Sequence, residues 1–473
     1  MNMHVSSPVT VELELADIQG ILLFGYSKLT EAAFCLLAVE DAAKARAWLG
    51  SLRVRTASVE DAGQARAVNV ALSAPGLRAL DLDPRVLETF PVEFQEGMVT
   101  ESRQRVLGDY GASDPKNWHW GGPGTPAVHV LLMLYATPGG LAELVAEART
   151  AWEAGGLREV AHLGTEWLPG NKEHFGFDDG ISDVPIRGHR GRTDGVSPGE
   201  FLLGYPNEYG KYTASPHVPD AAGAQASVRQ LEPARDLAQA RDLGRNGSYL
   251  VFRQLHQDVH GFWKWLDERA AGVPAERVRI ASKMVGRWPN GSSLVQHPHG
   301  PGPTGKPDND FFYVADDVLG QKCPLGAHIR RTHPRDALGP LTPGDERLAN
   351  LHRILRRGRV YGEALAPELR PEGFLERGDD GAERGLHFIC FNANIDRQFE
   401  FVQQTWTNSA KFAGLRNDPD PLIGVRDPAG SDFTIQKEGI RERHTGLPEF
   451  VVTRGGGYFF LPGLAALRYL ASA

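Results

Sequence analysis

One pattern recurs along this chain and limits what it can fold into: a short apolar run followed at once by an amphipathic helical stretch. It occurs four times. The first copy spans Ala33–Val39, then Asp41 as an N-cap, then a helix to about Leu52. The second spans Val128–Tyr135, the breaker Pro138-Gly139-Gly140, and a helix ending at Gly155-Gly156. The third spans Ser248–Leu255 with a helix from about Asp258, and the fourth Leu386–Asn392 with a helix from about Ile395. Caps and breakers fall where each period should end. Further strands are expected at Ala67–Leu72 and Leu157–Leu163. A closing hairpin is expected from Phe450–Arg454 and Tyr458–Leu461 around Gly455-Gly456-Gly457.

Two strand–helix units plus extra strands in each half predict β-α-β-β-α-β twice over. The fold class is α+β: two ferredoxin-like domains with antiparallel sheets. The expected division is an N-terminal domain over residues 1–170, a long connection over 171–245, and a C-terminal domain over 246–473. The connection is rich in Gly, Pro and charge, and loops of that length in compact proteins are usually functional or disordered. Ser215–Ala240 reads as a surface excursion, Trp288–Asp308 as a loop covering the second domain, and the tail LPGLAALRYLASA as a packed C-terminal helix.

Composition excludes some roles. With 473 residues, 41% hydrophobic and 23% charged, the chain matches an ordinary globular protein. A formal net charge of -8 makes nucleic acid a poor partner. No apolar run approaches a membrane span. Three cysteines, Cys35, Cys323 and Cys390, are too few and too scattered for a disulfide framework or a cysteine metal site. No signal or transit peptide is visible at the N-terminus, so a reducing, cytoplasmic compartment is expected.

Three stretches could carry chemistry. QKCPLGAHIRRTHPRD, Gln321–Asp336, places His328 among Arg330, Arg331 and Arg335. A neutral imidazole is a good iron ligand, and fixed guanidinium groups suit paired carboxylates. Haem offers both an iron and two propionates. HFGFDDGISDVPI, His174–Ile186, brackets Phe177, Asp178 and Asp179 with Gly176 and Gly180, which permits a tight turn close to a ligand. An acid held there would lose hydration and suit proton transfer. LHRILRRGRVYG, Leu351–Gly362, carries Arg353, Arg356, Arg357 and Arg359; Arg353 and Arg359 read as a solvated basic face.

Taken in chain order, GFDDG followed by CPLGAHIRRTHPR and then ILRRGRVYG resembles the dye-decolourising peroxidases, which are haem enzymes. ADIQGILLFGY and GLHFICFNANIDRQFEFVQQTW are similar to that family too, so the resemblance runs from about Asp17 to Leu461. It implies haem b, one per chain, in the second domain. His328 would be the proximal iron ligand, Asp179 the distal acid–base and Arg356 the distal arginine. Ile181, Arg330, Arg335, Leu386 and Phe388 would bind the cofactor, and Asp420, in DPLIG, would hydrogen-bond the proximal histidine. His333 stands where the family often carries Asn, and Leu338–Asp345 is an extra loop before Arg356. The choices between Arg356 and Arg357, and between Asp179 and Asp178, stay open at this level.

The implied reaction is reduction of hydrogen peroxide with oxidation of a small aromatic or dye-like donor. An aspartate is a weaker base than a histidine, so an acidic activity optimum with dyes is expected. Bulky donors would pass electrons through Trp or Tyr side chains, although Trp263 and Trp265 read as helix core. The competing function is a haem-handling protein that stores or strips haem without turning over peroxide. Such a carrier needs His328 but no proton shuttle. A cofactor-free binding scaffold would leave the arginines and the GFDDG turn without a purpose. The sequence leaves room for a homo-oligomer and names no membrane partner.

Overall fold

A computed structural model describes residues 12–58, 63–219, 228–237, 239–304 and 308–472. The first half contains β1 (Glu31–Val39), α1 (Ala42–Ser51), β2 (Arg66–Leu72), β3 (Val130–Ala136), α2 (Leu141–Ala154) and β4 (Leu157–Gly164). The second contains β5 (Ser248–Gln257), α3 (Val259–Arg269), α4 (Pro274–Val285), α5 (His328–Thr332), β6 (Leu355–Arg356), β7 (Arg359–Tyr361), β8 (Gly385–Asn392), β9 (Val451–Leu461) and α6 (Leu464–Ser472).

The strands order as β4-β1-β3-β2-β9-β5-β8-β6, with β7 also pairing β8, and every pairing in this nine-stranded sheet is antiparallel. Each half therefore repeats the 4-1-3-2 order of a ferredoxin-like unit. The halves join edge to edge, where Phe460 of β9 registers with Leu72 of β2. Side-chain alternation divides the core into two layers. On β1, Cys35 and Leu37 pack under the helices with Trp48 and Trp152, while Phe34 and Leu36 face the opposite layer with Tyr135 and Phe252. The cap predicted for α1 forms: Asp41 accepts the Lys44 N–H at 3.1 Å. Trp263 and Trp265 are buried core residues.

The expected hairpin does not form. Val451–Leu461 is one continuous strand with a bulge between Thr453 and Gly455. The three glycines act by close approach rather than by turning: a Cβ on Gly455 would lie 2.4 Å from the Trp120 indole nitrogen, and one on Gly456 would lie 2.9 Å from the Met98 sulfur.

The long connection is also more than a surface excursion. Residues 220–227 and 238 of Ser215–Ala240 lie outside the described residues, but Val218, Val228 and Leu231 are buried against the first core layer. In Trp288–Asp308, of which 305–307 lie outside the described residues, Trp288, Leu294 and Val295 form a small core with Tyr313 and Ala327. The C-terminal helix packs as expected, with Leu467, Tyr469 and Leu470 buried.

Candidate active site

The GFDDG turn is built by its neighbours. Gly176 and Gly180 take φ values of +91° and +72°, open to glycine at no steric cost. Asn171 clamps Asp179 on both sides: its carbonyl accepts the Asp179 N–H at 2.9 Å and its side-chain amide donates to the Asp179 carbonyl at 2.7 Å. The two acids of the turn then separate. Asp178 Oδ1 is paired with Lys172 Nζ at 2.7 Å, and that same ammonium donates to the carbonyls of Gly176 and Pro289. Asp179 has no cationic side chain bonded to its carboxylate among the described residues; its Oδ1 accepts the Gly180 N–H at 2.7 Å.

On another side, the CPLG turn leads into α5, which begins at His328. His328 Nδ1 donates to Asp420 Oδ2 at 2.9 Å. Asp420 is fully buried, and its Oδ1 accepts the N–H groups of Leu422 (2.9 Å) and Ile423 (3.0 Å). Burial pushes the Asp420 carboxyl up, but His328, Arg331 and the Ile423 N–H outweigh it, and the group lies below its ordinary value. With Nδ1 committed, Nε2 is the histidine nitrogen left to bind a metal.

Both sets of residues line one cavity with two adjoining lobes of about 150 and 200 Å³. His328, Ile329, Arg356 and Ile423 border both lobes; Asp179, Ile181 and Leu386 border one, and Arg335, Arg353 and Phe388 the other. Leu386 and Phe388 project from the same face of β8, as their spacing predicts. The helical segments Asp396–Glu400 and Val402–Thr407 are wound as π-helix and supply Phe399, Val402 and Gln403 to the wall. Such winding recurs at functional sites.

The arginines divide differently from the sequence expectation. Arg356 ends β6, reaches Ser182 Oγ at 3.3 Å and faces the cavity. Arg357 turns away to Asp183 and to the carbonyls of Ile21 and Leu22. Arg335 borders the cavity over the Phe311 ring at 4.0 Å. Arg330 does not border it. Its guanidinium is buried and taken up by Asp317 and the carbonyls of Cys323 and Asp317, with the Tyr313 ring 4.3 Å away. Arg331 is likewise buried, bonded to the carbonyls of Gly326, Trp406, Ser409 and Asp418. Both brace the loop that presents His328.

Two further arginines reach the site without having been expected there. Arg353 is not on a solvated face: it borders the cavity, its Nε is buried without a hydrogen-bond partner, and burial lowers its pKa to about 10. Arg287 borders both lobes and bonds Asn309 Oδ1 at 2.9 Å. Arg359 is also withdrawn from water, donating to the carbonyls of Gly25 and Tyr26. His333 lies in the same wall 3.5 Å from Glu346, and burial among Arg353, Arg335 and Arg356 holds its pKa well below the usual range. A histidine with one free nitrogen, apolar walls and an edge of buried arginines lacking enough carboxylates fits haem, whose two propionates would supply the missing anions.

A scan against models of known protein families finds no match. The chain is 30% identical over 502 residues to the dye-decolorizing peroxidase msp1 of Mycetinis scorodonius, covering 99% of this chain and 89% of that protein. It is 34% identical over 325 residues to the multifunctional dye peroxidase DyP2 of an Amycolatopsis species, covering 63% of this chain and 61% of that protein. A crystal structure of a decolorizing peroxidase from Auricularia auricula-judae superposes with a TM-score of 0.77 at 26% identity, over 98% of this chain and all of that one. The fold and the relatives are thus those of an enzyme, a haem peroxidase. The chain belongs to the dye-decolourising peroxidase family.

Proposed function

We propose that the chain binds one haem b and reduces hydrogen peroxide at the expense of aromatic donors, dyes and phenols among them. The observation that carries this is the placement of the His328–Asp420 pair, Asp179 and Arg356 around a single cavity. His328 Nε2 would hold the iron, and Arg335, Arg353 and Arg287 would hold the propionates. Bound there, haem supplies the iron that takes up peroxide and carries the redox change. Asp179 accepts a proton from one peroxide oxygen and delivers it to the other, which leaves as water. Arg356 donates hydrogen bonds to that departing oxygen as negative charge develops on it. Asp420 fixes the orientation and tautomer of the His328 ring through Nδ1. Leu386 and Phe388 keep bulk water from the site.

The test is the absorption spectrum of haem-loaded protein before and after one equivalent of peroxide, for wild type, His328→Ala and Asp179→Asn. Loss of the Soret band in His328→Ala, with a fast spectral change in wild type and a slow one in Asp179→Asn, supports both roles. A Soret band indifferent to His328, or peroxide that merely bleaches wild type, overturns them. A cytoplasmic location is part of the same proposal, supported by three buried, unbridged thiols at Cys35, Cys323 and Cys390. No described helix is long and apolar enough to cross a membrane.

A further inference from the structure

A second, larger cavity of about 880 Å³ borders the haem site. It lies between the segment Leu23–Leu29, Arg55, the loop running from Asp183 to Arg192, and Arg357. Val184 and Asn309 belong to the walls of both cavities. Asn309 is held in place by Arg335 (2.7 Å) and Arg287 (2.9 Å), so the shared wall is fixed by the same arginines that face the haem cavity.

This cleft is basic in a protein of formal net charge -8. Among the described residues, Lys28, Arg55, His189, Arg190, Arg192 and Arg357 line it, against the single acid Asp183. Asp183 is paired with Arg357 at 3.2 Å, and Arg192 with Asp194 at 2.8 Å. That leaves Lys28, Arg55 and Arg190 with no carboxylate in ion-pair range among the described residues. Arg55 is only 8% exposed and its Nε has no hydrogen-bond partner, although its guanidinium lies over the Tyr26 ring at 4.9 Å. Its Nη1 reaches only the Gln64 carbonyl, at 3.5 Å, among the described residues, and a buried cation so placed gains from an anionic ligand.

The wall is also aromatic. His189 meets Phe24 edge to face at 5.9 Å, and the Arg190 guanidinium lies 5.8 Å from the same ring. Two non-glycine residues in the lining, Tyr26 (φ +51°) and Arg190 (φ +53°), are held in the left-handed region. Strain of this kind persists where surroundings impose it and gathers at ligand sites.

We infer that this cleft binds a planar aromatic anion, a phenol bearing a carboxylate or sulfonate, and holds it beside the haem cavity as the reducing substrate. The inference rests on the peroxidase function proposed above. In the overall reaction two such phenols each give up one electron and one proton, and one hydrogen peroxide takes up both to become two waters. Lys28, Arg55 and Arg190 hold the anionic group, while Phe24 and His189 pack against the ring.

The test uses full-length, haem-loaded protein and the variants Lys28→Glu, Arg190→Glu and their combination, with Lys116→Glu as a charge control outside the cleft. Calorimetry with 2-naphthoate, which donates no electrons here, reads binding alone. Steady-state kinetics compare 4-hydroxycinnamate with its neutral methyl ester. The double variant is expected to lose about tenfold or more in naphthoate affinity, and a similar factor in kcat/KM for the acid through KM. The ester and the Lys116→Glu control should stay near wild type. Unchanged naphthoate affinity, or equal losses for acid and ester, overturns the inference. If wild type oxidises no donor at all, the peroxidase function fails, and the naphthoate calorimetry still decides the cleft.

Discussion

Arg356 and Arg357 are consecutive residues that serve different spaces. Arg356 reaches Ser182 Oγ at 3.3 Å on the haem side, while Arg357 bonds Asp183 at 3.2 Å and the carbonyls of Ile21 and Leu22 on the other. Extended backbone sends neighbouring side chains to opposite faces, so one strand end supplies both cavities. Arg356→Gln is expected to slow the peroxide-driven spectral change by about a hundredfold or more, with little change in melting temperature. Arg357→Gln should leave that rate within about threefold and cost roughly 1–3 kcal/mol of stability, because buried carbonyls lose their donors. Stopped-flow absorption and thermal melts separate the two; equal rates in both variants would mean that Arg356 is not the distal arginine.

The two acids of the GFDDG turn should part in the same way. Asp179→Asn removes the carboxylate that no cation occupies among the described residues, and the peroxide rate should fall by about 10²–10⁴. Asp178→Asn frees Lys172, a partly exposed pair, and should cost at most about 1 kcal/mol while the peroxide rate holds. The check is the second-order rate constant against peroxide; a larger loss in Asp178→Asn would reverse the assignment.

Asp420 supports three donors at once, His328 Nδ1 and the N–H groups of Leu422 and Ile423. Asp420→Ala leaves all three without an acceptor in a fully buried place, so a loss of about 3–5 kcal/mol is expected. Asp420→Asn retains the size and should weaken haem binding by about ten- to a hundredfold. Haem titration of the apoprotein, followed in the Soret region, measures this directly, and wild-type affinity in Asp420→Asn would argue against a supporting role.

Glu173 gives the distal loop a pH dependence of its own. Its carboxyl accepts the N–H groups of Phe175 (3.0 Å) and Phe177 (2.9 Å) and the Gln257 amide (2.8 Å). Burial nevertheless pushes it up to about 7 from 4.5, with the nearby Asp179 charge adding to the rise. Between those two values the folded protein keeps a proton that the unfolded chain has released. Stability therefore falls as pH rises through that interval and levels off above it. The contribution is at most on the order of 3 kcal/mol. Urea unfolding at pH 5 and pH 7.5 should show wild type losing more stability than Glu173→Gln over the same range; parallel losses would exclude Glu173 as the source.

Much of this was legible in the sequence, and what was not has physical causes. Strands such as Leu386–Asn392 show themselves because apolar runs between caps leave few alternatives. His328 and Asp179 stand out because their motifs pair a special residue with the glycines that place it. Gly455-Gly456-Gly457 misled because glycine marks both a turn and a strand that another side chain presses upon, and only the position of Trp120 tells which. Arg353 and Arg359 misled because four arginines within seven residues read as a wetted face, whereas here the backbone carbonyls and the cavity absorb them. Arg330 sits two residues from His328 in sequence yet points into the protein, toward Asp317. Arg287 carries no local signal at all, since what brings it to the site is the packing of α4 against α5.

The seam at Phe460 and Leu72 gives the molecule a birth order. All four strands of the first half are in hand once Gly164 has been synthesised, but the second half lacks its edge strand until Leu461 emerges. That late strand also contributes Val451 to the wall of the haem cavity. A nascent chain thus presents His328 before the last strand of its cavity exists, and that wall is completed only when nearly everything else has been made.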